Sequence, residues 1–60
     1  LRYQDLVVGV REAVATALLT TTGRPLVDVA FLTGFSDQSA FQRAFKRWTG
    51  QTPLAVRRTA

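Results

Sequence analysis

Neither cysteine nor histidine occurs in this 60-residue chain. Their absence excludes disulfides and zinc fingers, together with catalysis by a thiol or an imidazole. Acids are scarce as well. Asp5, Glu12, Asp28 and Asp37 are the only four, and they are scattered. No two of them have the spacing of an acid/base pair or of metal ligands. The residues therefore offer nothing to an enzyme, and they imply no metal and no cofactor. A membrane span, which needs ~20 apolar residues, is missing too. The longest apolar run without charge is Ala13 to Leu19, directly behind Arg11 and Glu12. No charged segment followed by an apolar stretch and a small-residue cleavage site opens the chain, so no signal peptide is expected. Lack of cysteine fits a reducing compartment.

What remains is a globular composition, 47% apolar and 20% charged, in a chain near the lower limit for a self-sufficient core. The net charge is +4, and its placement is uneven. From Gln38 onward there are five basic residues (Arg43, Lys46, Arg47, Arg57 and Arg58) and no acid, whereas before Gln38 the signs nearly cancel. A one-sided basic end serves either as a footprint for phosphate or as a solvated surface that aids solubility.

Four segments read as helical and none as a strand. The first, over residues 3–20, places Leu6, Val10, Ala13, Val14, Ala17 and Leu18 at three- and four-residue spacing, the pattern of one buried face. Val7, Val8 and Leu19 lie off that stripe, which points to contacts on more than one side. Gly23 is expected to end the helix in a left-handed conformation. A second helix is expected from Pro25, which suits a first helical position, to Thr33. Asp28 lies in its first turn, where a carboxylate favours the helix dipole, and Leu26, Val29, Ala30 and Thr33 share its inner face. Gly34 supplies a sharp turn, and Phe35 plugs the gap between the flanking helices. The third helix starts with Ser36 or Asp37 as N-cap, runs to Thr49 and stops at Gly50. Thr52-Pro53 then repeats the start signal for a short final helix ending near Arg57 or Arg58.

On a wheel of 100° per residue the third helix divides cleanly. Phe41, Ala44, Phe45 and Trp48 fall on one side. Ser39, Gln42, Arg43, Lys46 and Arg47 fall on the other, with Gln38 at its edge. That spacing makes Trp48 a packing residue rather than a base-stacking one. The polar groups match what the major groove displays: an arginine can chelate guanine O6 and N7, and a glutamine can pair with adenine N6 and N7. Lysine and the remaining arginines suit phosphates, which set register without reading sequence. By itself such a face is also that of an ordinary surface helix. The context favours the first reading, because a short helix, a glycine-containing turn and a second helix form the helix-turn-helix pattern, whose second helix enters the major groove. Arg24, at the start of the second helix, stands where a phosphate could meet its guanidinium. Arg57 and Arg58 read either as phosphate contacts or as a frayed basic tail.

Val29-Ala30, Gly34-Phe35, Asp37-Gln38-Ser39-Ala40-Phe41, Arg43-Ala44-Phe45-Lys46-Arg47, Gly50 and Thr52-Pro53 together resemble the C-terminal signature of AraC/XylS-type bacterial transcriptional regulators. Arg11, Ala15 and Leu18-Leu19 look like that family's linker helix. The resemblance implies an all-α fold, a helix-turn-helix of the homeodomain-like three-helix type with a long N-terminal linker helix (1–22), the motif itself (25–50) and a short last helix (53–58). It implies that Gln38, Ser39, Ala40, Gln42 and Arg43 face the bases, Ala40 offering only contact to a thymine methyl, and that Phe35, Phe41 and Phe45 are core. Phosphate contacts are then expected from Arg24, Lys46, Arg47 and Arg57.

The family's DNA-binding unit has two such motifs joined by the long helix, and this chain matches the linker and the second. The implied partners are double-stranded DNA and a first motif and an effector domain of the same protein, on the nucleoid of a bacterial cytoplasm; Tyr3 either faces that first motif or is merely exposed. A small core and an apolar long helix also predict self-association as a homodimer. Glu12 stands where the family usually has an apolar residue, so it should face solvent or pair with Arg2, Arg11 or another cation. The competing reading is a helical protein-interaction module whose basic face meets an acidic partner such as RNA polymerase.

Overall fold

The computed structural model describes residues 3–59, with side chains from Leu6 onward; Arg2 and the side chain of Tyr3 lie outside that range. Four helices follow one another: α1 (Tyr3–Thr21), α2 (Leu26–Leu32), α3 (Gln38–Thr49) and α4 (Pro53–Arg58). No strand occurs among the described residues. The fold is all-α, and α2, the turn after it and α3 form a helix-turn-helix.

The core is small. Ala15, Leu19, Val29, Ala30, Phe41 and Phe45 are buried in one cluster, with Leu18, Leu26, Phe35, Trp48 and Val56 packed around it. Phe41 and Phe45 are its largest members, and each contributes on the order of 1.5–3 kcal/mol by leaving water. Ala15 and Ala30 are both fully buried; their small side chains let α1 and α2 approach closely.

α1 is helical because alanine, leucine, arginine and glutamate dominate its middle. Its packed face is not the one that the spacing of its apolar residues suggests. Leu6, Val10 and Val14 are 59%, 55% and 42% exposed, and Ala13 and Ala17 face solvent with them. Of the expected stripe only Leu18 packs against the core. The buried set is Ala15 and Leu19, with Arg11 and Leu18 half-buried beside them. These residues also recur at three- and four-residue spacing, so periodicity alone favours neither face. The charge of Arg11 disguises the true one.

Gly23 is not left-handed. Among the described residues positive φ occurs at Gly34 and Gly50 alone. α1 ends without such a residue, and its last threonines fold back on the preceding turn. The hydroxyl of Thr20 donates to the carbonyl of Thr16 at 2.8 Å, that of Thr21 to Ala17, and that of Thr22 to Leu18 at 2.6 Å. These carbonyls also accept the helix's own N–H groups, so the bonds satisfy the hydroxyls locally; the carbonyl of Leu19, in the unpaired last turn, is taken by Arg57 instead.

α2 begins one residue later than Pro25. With φ −59° and ψ 153°, Pro25 is the extended N-cap. Its carbonyl accepts the first bonds from the N–H groups of Asp28 and Val29. Leu26 is half-buried and Val29, Ala30 and Thr33 are buried, as their shared face requires. Thr33 is the one buried polar side chain among the described residues. Its hydroxyl donates to the carbonyls of Val29 and Ala30 at 2.8 and 3.0 Å, which removes the cost of an unpaired buried group.

Candidate nucleic-acid interface

The turn before α3 is fixed by backbone and side chain alike. Phe35 N–H donates to Ala30 carbonyl at 2.9 Å and Gly34 N–H to Phe31 carbonyl at 3.0 Å. This pair of bonds is the Schellman closure of a helix C-terminus, and it requires a left-handed residue. Gly34, at φ 92°, is that residue. Space imposes a second demand there. A Cβ on Gly34 would stand 3.3 Å from Arg11 Nη2, because the Arg11 guanidinium lies over the Phe35 ring, 5.4 Å from its centre. A cation above an aromatic face is attracted by the ring's quadrupole. The linker helix thus grips the turn that aims α3.

Phe35 is the expected plug. Its ring centre lies 5.8 Å from that of Phe41 and 5.8 Å from that of Trp48. Phe41 and Phe45 are 5.7 Å apart, and Phe45 and Trp48 meet edge-on at 6.5 Å. Tilted contacts of this kind suit aromatic rings, whose edges are positive and faces negative. Trp48 is half-buried within this chain of rings. Phe41, Ala44 and Phe45 are buried, so one side of α3 is fixed in rotation as well as position.

The start of α3 is capped by Asp37, whose Oδ1 accepts from Ala40 N–H at 2.7 Å. Its end is Gly50, left-handed at φ 78°, whose N–H donates to Lys46 carbonyl. Between these stops, Ser39, Arg43, Lys46 and Arg47 are exposed and Gln42 is half-buried. Residues 39, 42, 43, 46 and 47 lie three and four apart, so they form one continuous ridge on the side away from the core. Gln38, in the first turn, is half-buried at the margin of this ridge, and so is Ala40. Lys46 and Arg47 stand in the last turn, where cations also suit the helix dipole. Glu12 is half-exposed.

Arg24 and Arg57 are elsewhere. Arg24 is exposed in the segment between α1 and α2. Arg57 is half-buried and bonded to backbone. Its Nε donates to Leu19 carbonyl at 3.1 Å, and its Nη2 to Thr22 and Arg24 carbonyls at 3.4 and 2.7 Å. Arg58 is exposed. Charge alone does not reveal the structural work of Arg11 and Arg57. One signal was available for Arg57: α1 has no basic residue in its own last turn, so its carbonyl end invites a cation from elsewhere. Among the described residues no group of metal-ligating side chains comes together.

Residues 1–59 match the model of a helix-turn-helix domain family. The chain is similar to the ornithine utilization regulator of Pseudomonas aeruginosa, 49% identical over 92% of this chain and 16% of that protein. It is also similar to the HTH-type transcriptional regulator VirS of Mycobacterium tuberculosis, 42% identical over 95% of this chain and 17% of that protein. The chain thus spans about one sixth of the length of these curated relatives. Among solved structures, the C-terminal domain of AraT, a response regulator from Geobacillus stearothermophilus, superposes on the whole chain with a TM-score of 0.93 at 32% identity, and half of that domain is covered. The C-terminal domain of the response regulator yesN from Fusobacterium nucleatum gives a TM-score of 0.89 at 32% identity, over 95% of this chain and 55% of the other. With the signature residues in place on the fold they require, the chain belongs to the AraC/XylS-type helix-turn-helix family.

Proposed function

We propose that this chain binds double-stranded DNA sequence-specifically as the second-motif half of a transcription regulator's DNA-binding domain, with α3 in the major groove. The carrying observation is the division of α3: a ridge of Ser39, Gln42, Arg43, Lys46 and Arg47 stands opposite a side locked by Phe41, Ala44 and Phe45. A reading helix needs this rigidity, because base-edge hydrogen bonds discriminate only when the donors are held in register. Gln38, Ser39, Gln42 and Arg43 read base edges, with Ala40 against a thymine methyl. Lys46, Arg47 and Arg24 hold phosphates. The protein works by binding, without a chemical step or cofactor, on the nucleoid of a bacterial cytoplasm.

The solvent-facing stripe Leu6-Val10-Val14 is the surface on which the first motif of a two-motif unit sits. The roughly twofold greater length of the matching solved domains supports this assignment. An effector domain lies farther off in such a protein. A second copy of the chain is the other occupant of the stripe, and the mass in solution separates the two. The alternative is that the basic face of α3 meets an acidic protein partner such as RNA polymerase; Lys46→Ala or Arg47→Ala would then lower transcription and leave DNA affinity intact.

The test of the main reading uses a duplex enriched from a random library by the unsubstituted protein. Arg43→Ala costs ~1–3 kcal/mol at a single base position. Lys46→Ala weakens all sequences alike and flattens the log–log salt slope by about one unit. Equal losses on enriched and scrambled duplexes for both variants overturn the division of roles.

A further inference from the structure

Arg57 joins the buried end of α1 to the exposed segment that carries Arg24. Its acceptors span that route: Leu19, at the edge of the core, then Thr22, then Arg24. The Arg24 backbone is held a second time, because its N–H donates to Thr22 Oγ1 at 3.3 Å, and that hydroxyl donates to Leu18 carbonyl. Both polar groups of the Arg24 backbone are thus engaged, the carbonyl by Arg57 of α4 and the N–H by Thr22, just past the end of α1, while its side chain remains exposed. α4 has six residues, too few to persist as a helix without outside contacts. Pro53, buried at its first position, and Val56, packed on the core, supply them and set the base from which Arg57 reaches across.

We propose that Arg57 is a positioning residue for DNA binding: its guanidinium fixes the backbone from which Arg24 reaches a phosphate, and it takes no phosphate itself. The proposal rests on the DNA-binding reading above and on Arg24 as a phosphate contact. The physical basis is preorganisation, since a cation on a fixed backbone loses less freedom on binding than one on a mobile loop. Arginine is required because its planar fork presents separate nitrogens to separated carbonyls, whereas lysine gathers its donors on one atom at the same charge.

The test measures affinity for the enriched duplex against salt for Arg24→Gln, Arg57→Lys and the double variant, in the protein that carries this chain. Trp48 emission confirms that each variant is folded at the assay temperature. Arg24→Gln is expected to remove one phosphate contact, lowering the slope by about 0.9, which is about threefold less affinity lost between about 50 and about 200 mM salt. Arg57→Lys is expected to lower the slope to a similar value despite its unchanged charge, and the double variant to fall no further. An unchanged slope for folded Arg57→Lys overturns the proposal, as does a double variant that loses a second unit, which marks a direct phosphate contact. An unchanged slope for Arg24→Gln refutes the Arg24 assignment and the proposal with it, while absence of salt-dependent binding by the unsubstituted protein refutes the DNA reading itself. Should Arg57→Lys not fold, the Arg57 Nε–H signal of the unsubstituted protein decides. Slow exchange with water in both free and DNA-bound states is the expected result, and a bond that opens or shifts to DNA on binding contradicts it.

Discussion

α1 and α3 both put an apolar side into the core, yet they stand differently toward the rest of the molecule. α3 has one apolar side, and that side is its packed side: Phe41, Ala44 and Phe45 are buried while Arg43, Lys46 and Arg47 face water. α1 has two apolar sides. One, built on Ala15 and Leu19, enters the core, while the other, Leu6, Val10 and Val14, lies in solvent. A helix that packs once declares its orientation in its residues. A helix made to be packed twice does not, because period and hydrophobicity are satisfied on both faces.

The comparison breaks first at the aromatic side of α3. Phe45→Ala should cost ~3–5 kcal/mol, enough to unfold a chain of this size at ambient temperature, as read by denaturant titration of Trp48 emission. On α1, Leu19→Ala should cost ~2–5 kcal/mol, whereas Leu6→Ala on the opposite face should, with no first motif present to cover it, fall within about 0.5 kcal/mol. Similar costs for the two leucines would mean that the packed face of α1 is wrongly placed. The turn that joins the two regions comes next. Gly34→Ala must place a side chain at φ 92° and move the flexible Arg11 guanidinium by a few tenths of an ångström, so it should cost the ~1–2 kcal/mol of left-handed strain and slightly more. Gly50→Ala meets no neighbour within 4 Å and should show the strain only. An equal loss at both glycines would remove Arg11 from the account of the turn. Smallest is the cap, where Asp37→Ala should cost about 1 kcal/mol, and Asp37→Asn or Asp37→Ser should restore most of it.

These contrasts also mark what the residues made legible. The turn at Gly34, the plug of Phe35, a cap at Ser36 or Asp37 and the stop at Gly50 follow from single residue types with specific local roles, and the structure carries each of them, with Asp37 as the cap. The split of α3 was equally plain, because its polar and apolar residues do not mix. Three features were hidden. The packed face of α1 needs knowledge of what lies on either side of it. The end of α1 looked like the work of Gly23, but its Leu19 carbonyl is held by an arginine far along the chain. Arg11 and Arg57 were obscure for one reason: a cation that stacks on a ring or gathers carbonyls has the same letter as one that awaits a phosphate. Only contacts between residues distant in sequence tell them apart.

The central claim is that the ridge of α3, and not the apolar stripe of α1, meets DNA. Residue-resolved amide NMR during titration with the enriched duplex tests it most directly. The account predicts that the largest shifts fall on Gln38, Ser39, Gln42, Arg43 and Lys46, that Leu6, Val10 and Val14 stay silent, and that a scrambled duplex leaves the Gln38–Arg43 signals largely unmoved. Shifts concentrated on the α1 stripe, or the same pattern with both duplexes, would contradict it.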